Sequence, residues 1–177
     1  MGAFTGIKTI RKDAAKRGAV NFCSTLFGML IICNCVFTLH YIPSGSMEPT
    51  IKTNSFAVCW RLPYLIGNPS PHYGDVVSFY SEEKEKILIK RVIGLPGDTI
   101  SFSDGHVLRN GEYITEEYLG DNESSFPYQD AYYTIPGDHF FVLGDNRQYS
   151  VDSRMFNNPY IPKKMVYAKM LWSFPLP

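Results

Sequence analysis

After residue 59 the 177-residue chain has no cysteine, and between Gly18 and Met47 it has no aspartate, glutamate, lysine or arginine. Its four cysteines are Cys23, Cys33, Cys35 and Cys59. Three fall in the uncharged stretch, so Cys59 has no downstream partner and a disulfide-stapled scaffold is excluded. Cys33-x-Cys35 has neither metal nor redox spacing. The four histidines, His40, His72, His106 and His139, are scattered. No His-Glu-x-x-His occurs, which argues against a zinc site. Net charge is also missing: 17 Lys+Arg balance 17 Asp+Glu. No overall field gathers nucleic acid. No internal repeat is found.

The uncharged stretch is itself informative. Its apolar part, about 19–39, spans roughly 30 Å as a helix, enough to cross a bilayer. Asn21, Ser24, Thr25, Asn34 and Thr38 dilute it. The alternatives are a buried core helix or a cleaved signal peptide. The apolar region of a signal peptide is usually only about 7–15 residues long, and no small-x-small site follows here. Lys8, Arg11, Lys12, Lys16 and Arg17 precede the stretch, against Asp13 alone. Positive residues stay inside. The expected organisation is a basic cytoplasmic leader over 1–18, a transmembrane anchor over 19–40 and an extracytoplasmic domain over 41–177. The lipid bilayer is then a partner, and nucleic acid is not. The sequence sets no oligomeric state.

Beyond the anchor the chain reads as mainly β, with aromatics at 15%. The predicted strands are 56–61, 75–80, 87–93, 99–103, 106–109, 132–135, 139–143 and 166–174. Asp104-Gly105 between two short runs signals a two-residue hairpin. Pro63, Gly67, Pro69 and Pro71 mark a loop, Gly94–Asp98 a turn, and the acidic stretch 116–131 a surface excursion. Short strands at regular spacing predict a small barrel-like or sandwich-like domain. Tyr41, Phe56 and Trp60 either rest at the membrane interface or pack in the core.

Three constellations can carry chemistry. The first is Lys90-Arg91 inside an apolar strand pattern. Alternation puts Lys90 with Leu88 and Val92, and Arg91 with Ile87, Ile89 and Ile93, so the pattern alone does not choose between them. Chemistry does choose: a desolvated lysine can lose its proton, whereas arginine stays charged. The bland reading is that both snorkel to water from a sheet edge. The second is Ser44-Gly45-Ser46 just beyond the anchor. Pro43 and Pro49 bracket it and exclude regular helix or central strand, while Gly45 permits an unusual backbone angle. The third is the polar run Gly144–Arg154, either a surface loop or a buried network. In the latter case Asp145 or Asp152 supplies the carboxylate that a buried Arg91 needs.

Taken together, these motifs make the chain resemble the type I signal peptidases of bacteria. The matching segments are the anchor, Pro43–Thr50, Gly74-Asp75-Val76-Val77, Lys90–Asp98, and Gly144–Arg147 through Ser150, Asp152, Ser153 and Arg154. The resemblance implies a membrane-anchored serine endopeptidase that cleaves signal peptides from exported preproteins after small residues. Ser46 is then the nucleophile and Lys90 the general base. The Ser46 N–H and the Ser44 hydroxyl form the oxyanion hole. Ser150 orients the lysine, and Asp145, Asp152, Arg154 and Arg91 form a supporting network. Ile42, Pro43, Met47, Leu88 and Ile89 line shallow pockets. No cofactor and no metal are implied. The chain departs from the family pattern at Met155–Pro159, where an aromatic–glycine pair is common. Two rival readings are a Ser/Lys self-cleaving module, which normally brings a helix-turn-helix and no anchor, and a non-enzymatic tethered scaffold.

Overall fold

The computed structural model describes residues 3–67, 69–120 and 131–176. They divide into two units, Met1–Val36 and Phe37–Pro177. The first is one helix, α1 (Ala3–Val36). Its segment Lys16–Val36 is long and apolar enough to cross a membrane, and none of it is buried against protein. Its polar side chains bond back to the helix: Thr25 Oγ1 donates to the Asn21 carbonyl at 2.9 Å and Asn34 Nδ2 to the Leu30 carbonyl at 3.2 Å. Polar groups satisfied in this way are tolerated in an apolar setting. Phe22, Phe27, Met29 and Ile32 are exposed on this helix.

The second unit is built of strands. β1 (Phe37–Ile42), β2 (Ser55–Trp60), β3 (Val76–Ser81), β4 (Lys86–Gly94), β5 (Thr99–Ser103), β6 (His106–Arg109), β7 (Glu112–Tyr113), β8 (Tyr132–Thr134), β9 (His139–Leu143), β10 (Ile161–Pro162) and β11 (Val166–Pro175) follow in order. They form a seven-stranded sheet, β1-β2-β11-β3-β4-β9-β10, and a four-stranded sheet, β7-β6-β5-β8. The chain is thus mainly β and sandwich-like, without a closed barrel among the described residues. All eight predicted strands are present, with ends moved by a residue or so.

The differences have local causes. Residues 37–40, counted above with the anchor, belong to β1, where Thr38, His40 and Ile42 alternate inward and pair in register with β2. The proline-marked loop contains a short helix, α2 (Leu62–Ile66), begun by Pro63 in its first turn. β7 follows a second two-residue hairpin at Asn110-Gly111, where both residues have positive φ, as do Asp104 and Gly105. That geometry selects Asn-Gly and Asp-Gly. Leu119 is buried, so the acidic excursion starts inside the fold; residues 121–130 lie outside the described residues.

Two strand edges position the site. Among the described residues β1 pairs only with β2. β4 pairs with β3 along Lys86–Arg91, but with β9 only from Arg91 onward. The other edge of Lys86–Lys90 therefore has no strand partner among the described residues. Under the 43–51 segment lies a core of Ile42, Met47, Ile51, Ala57, Cys59, Val76, Ile89 and Ala168.

Candidate active site

Met47 and Ile51 are both fully buried and act as two plugs that hold the intervening turn against the sheet. The Ile51 N–H donates to the Met47 carbonyl at 2.8 Å and the Glu48 N–H to the Gly45 carbonyl at 3.1 Å. The Glu48 carboxylate accepts from the Thr53 hydroxyl at 2.7 Å and the Thr53 N–H at 3.0 Å. These bonds, the Thr53 hydroxyl foremost, hold the Glu48 pKa below its usual value. The turn is thereby rigid, and Ser46 sits at its head.

Lys90 comes to Ser46 from β4. Its Nζ lies 2.6 Å from Ser46 Oγ, and the residue is only 3% exposed. It does not snorkel. Burial lowers its pKa to about 8, against the opposing pull of Asp152 and Asp145. The two groups form a hydrogen-bonded hydroxyl and amine, and the amine carries a proton affinity suited to accepting one near neutral pH.

Arg91, one residue on, takes the other role. Its Nε and Nη2 donate to the two oxygens of Asp145 at 2.8 and 2.6 Å. Nη1 donates to the Gly74 carbonyl at 2.8 Å and Nη2 also to Thr50 Oγ1 at 3.2 Å. The guanidinium lies over the Tyr118 ring, 3.8 Å from its centroid. Of the two carboxylates weighed for Arg91, Asp145 is the partner. Asp152 instead accepts from Arg154 Nε at 2.8 Å and Nη2 at 2.9 Å, and from the Gly144 N–H at 2.9 Å. The Gly144–Arg154 run is a buried network rather than a surface loop, although Gln148, Tyr149 and Val151 remain exposed. It reaches the site because Leu143, its last strand residue, pairs with Arg91.

Gly144 marks the closest approach. A Cβ there would lie 2.1 Å from Ser150 Oγ and 2.4 Å from the Ser46 carbonyl oxygen. Ser150 Oγ is buried and makes no hydrogen bond among the described residues. Ser44 is exposed beside the nucleophile. A groove of about 260 Å³ runs between the β1 and β4 edges and is lined by Ile42, Pro43, Met47, Leu88 and Ile89, together with Ser44, Ser46 and Lys90. All five predicted pocket residues therefore converge on it. Among the described residues no group of His, Cys, Asp and Glu is arranged to hold a metal.

Three contributors escaped the sequence reading. Asn146 donates from Nδ2 to the Gly45 carbonyl at 3.0 Å. Glu116, from the acidic excursion, pairs with both terminal nitrogens of Arg147, one at 2.9 Å. Tyr118 covers Arg91. None has a local signal, because each meets its partner across a long stretch of chain.

The arrangement defines a class: a β protein with a serine–lysine pair lining a groove between two open strand edges. The comparisons then supply the family. Residues 16–174 match the family described as signal peptidase, peptidase S26, and the chain belongs to it. A signal peptidase I of Pseudomonas aeruginosa is 34% identical over 183 residues, covering 82% of this chain and 64% of that protein. A signal peptidase I P of Bacillus subtilis subsp. natto is 34% identical over 178 residues, covering 93% and 95%. The chain thus spans a little under two thirds of the Pseudomonas relative and nearly all of the Bacillus one. A crystal structure of a signal peptidase I from Enterococcus faecalis V583 superposes with a TM-score of 0.51 at 30% identity, covering 58% of this chain and 98% of that one.

Proposed function

We propose that this protein is a membrane-anchored serine endopeptidase that removes signal peptides from exported preproteins, with Ser46 as nucleophile and Lys90 as general base. The observation that carries the reading is the 2.6 Å contact between Lys90 Nζ and Ser46 Oγ, made by a lysine whose burial lowers its pKa to about 8. A preprotein segment adds as a strand between the β1 and β4 edges, its backbone giving affinity and its side chains entering the groove. Neutral Lys90 takes the Ser46 hydroxyl proton as Oγ attacks the scissile carbonyl carbon. The oxyanion is met by the Ser46 N–H and the Ser44 hydroxyl. Lys90 returns the proton to the leaving amine, and an acyl-enzyme on Ser46 remains. Water attacks that ester carbonyl and gives a proton to Lys90, which passes it to Ser46 Oγ as the ester bond breaks; the acid product leaves, and the serine hydroxyl and neutral amine are restored. The buried Ser150 hydroxyl is available to accept from the Lys90 ammonium between these steps.

Ile42, Met47, Leu88 and Ile89 line the groove, whose volume is about 260 Å³, and on this reading it takes small side chains at the first and third positions before the cut. The helix segment Lys16–Val36 anchors the enzyme, the basic leader stays cytoplasmic, and the β unit lies on the outer side of a bacterial inner or plasma membrane. One face of β1, β2 and β11 presents Phe37, Leu39, Tyr41, Trp60, Trp172 and Phe174 to the outside. An exposed apolar face of this kind suits a bilayer surface. Holding enzyme and substrate at one surface raises their effective concentration.

The test is cleavage of a model preprotein, with Ala at the first and third positions before the cut, by wild type and by Ser46→Ala, alongside labelling with a serine-acylating probe. Cleavage and labelling by wild type alone are expected. Equal cleavage by both would remove Ser46 from the mechanism. A folded wild type that neither cleaves nor labels would favour the non-enzymatic scaffold.

A further inference from the structure

Asn146 touches none of the groups assigned above to proton transfer, yet it grips the backbone on both sides of the nucleophile's nitrogen. Its Nδ2 donates to the Gly45 carbonyl at 3.0 Å, and its own N–H donates to the Ser46 carbonyl at 3.2 Å. The carboxamide orientation is unambiguous, because a carbonyl oxygen can only accept. The same Gly45 carbonyl also accepts from the Glu48 N–H at 3.1 Å. Gly45 C=O and Ser46 N–H belong to one peptide unit. In a planar trans peptide the two point in opposite directions. Two donors fixing the carbonyl from one side therefore aim the Ser46 N–H to the other. That N–H makes no hydrogen bond among the described residues.

Asn146 is itself held between two buried ion pairs. Asp145 before it binds Arg91, and Arg147 after it binds Glu116 and donates to the Gly144 carbonyl at 3.2 Å. The Tyr149 N–H closes the turn on the Asn146 carbonyl at 3.1 Å. A side chain so braced keeps its donor in one place.

We propose that Asn146 is the positioning residue of the oxyanion hole: by pinning the Gly45 carbonyl it orients and polarises the Ser46 N–H toward the oxygen of the tetrahedral intermediate. The inference rests on the reading of Ser46 as nucleophile. Preorganised donors act in the transition state rather than on bound substrate, so the effect belongs in kcat.

The experiment compares wild type, Asn146→Ala, Asn146→Asp and Ser46→Ala in the full-length detergent-solubilised protein. Active sites are counted with the acylating probe, and rates of preprotein cleavage are expressed per active site. Losing a direct oxyanion donor costs about 10²–10³ in kcat, and misorienting one should cost about 10–100-fold. Asn146→Ala should show that loss with KM within about twofold of wild type. Its activity should still rise through the same pH midpoint, because no charge near Lys90 has changed. A peptide aldehyde, which forms an oxyanion-bearing adduct on the serine, should lose affinity by the same factor as kcat/KM. Asn146→Asp keeps the shape but not the donor and should lose as much or more; it carries the test should the alanine variant not fold. A wild-type kcat per active site in either folded variant overturns the proposal, as does unchanged aldehyde affinity. A shifted pH midpoint in Asn146→Ala also overturns it, by placing the effect on Lys90. Should Ser46→Ala cleave like wild type, the failure lies with the nucleophile assignment instead.

Discussion

Lys90 and Arg91 are neighbours in one strand, both buried, and their environments divide the labour between them. Arg91 has a bidentate carboxylate, a carbonyl, a threonine hydroxyl and an aromatic face, so its charge is fully compensated. Lys90 has a hydroxyl at 2.6 Å and desolvation as its largest influence. Lys90→Arg should therefore give a folded, inactive enzyme, since a guanidinium cannot accept the Ser46 proton. Arg91→Lys should keep turnover and lower stability by about 1–3 kcal/mol through lost charge-assisted hydrogen bonds. Single-turnover cleavage with circular dichroism on both variants checks this; a folded, active Lys90→Arg enzyme would reverse the roles. Wild-type activity should rise as pH climbs through about 8, where the amine becomes neutral. Stability should follow. The folded pKa lies below the unfolded value of 10.5, so between about 8 and 10.5 the unfolded chain binds more protons and stability rises with pH. Denaturant titrations at several pH values should show this gain in wild type and not in Lys90→Met.

Between elements, the long loop after β9 is what completes the site. Its attachment to β4 is the Arg91–Asp145 pair, with Asp145 fully buried. Removing one partner leaves a buried charge unpaired, so Asp145→Ala should cost about 3–5 kcal/mol by denaturant unfolding. A change below 1 kcal/mol would mean the pair behaves like a surface bridge. Gly144→Ala tests the contact between loop and nucleophile. The new Cβ would meet the Ser46 carbonyl oxygen at 2.4 Å and Ser150 Oγ at 2.1 Å, so the backbone must move. Displacement of catalytic groups by about 1 Å can cost about 10²-fold in rate. A loss of that size in a variant that still shows native circular dichroism is expected; a wild-type rate would show that the loop yields without disturbing Ser46.

At the scale of the molecule, the expected topology follows from charge asymmetry around α1. Five cations in the leader against one acid, Asp13, favour a cytoplasmic N-terminus. Protease added outside cells whose outer barrier is opened should digest the β unit beyond residue 60 and spare the leader. Removal of the leader alone would reverse the orientation. The apolar face of β1, β2 and β11 should bind lipid as well. Trp172→Ser with Phe174→Ser should lower cleavage of membrane-bound preprotein more than cleavage of a soluble peptide, because neither residue lines the groove. Equal losses on both substrates would move the effect from the bilayer to the catalytic unit.

What the sequence determined by itself is whatever depends on neighbours along the chain. The uncharged stretch before Met47 shows a membrane-length segment, alternation shows eight strands, and Asp104-Gly105 shows its hairpin. Arginine's fixed charge singles out Lys90 as the basic residue able to act as a base. Tertiary structure decided the rest, because it concerns residues far apart in sequence. Only packing shows that Lys90 is buried rather than snorkelling, that Asp145 rather than Asp152 meets Arg91, and that Ser46 lies 2.6 Å from an amine 44 positions away. Asn146 belongs there too. Its carboxamide looks like one more polar group in a polar run until β9 pairs with β4 and sets it against Gly45, about a hundred residues earlier in the chain. Local propensity is written residue by residue, whereas a site is an agreement among separated strands, and that agreement exists only once the sheet has formed.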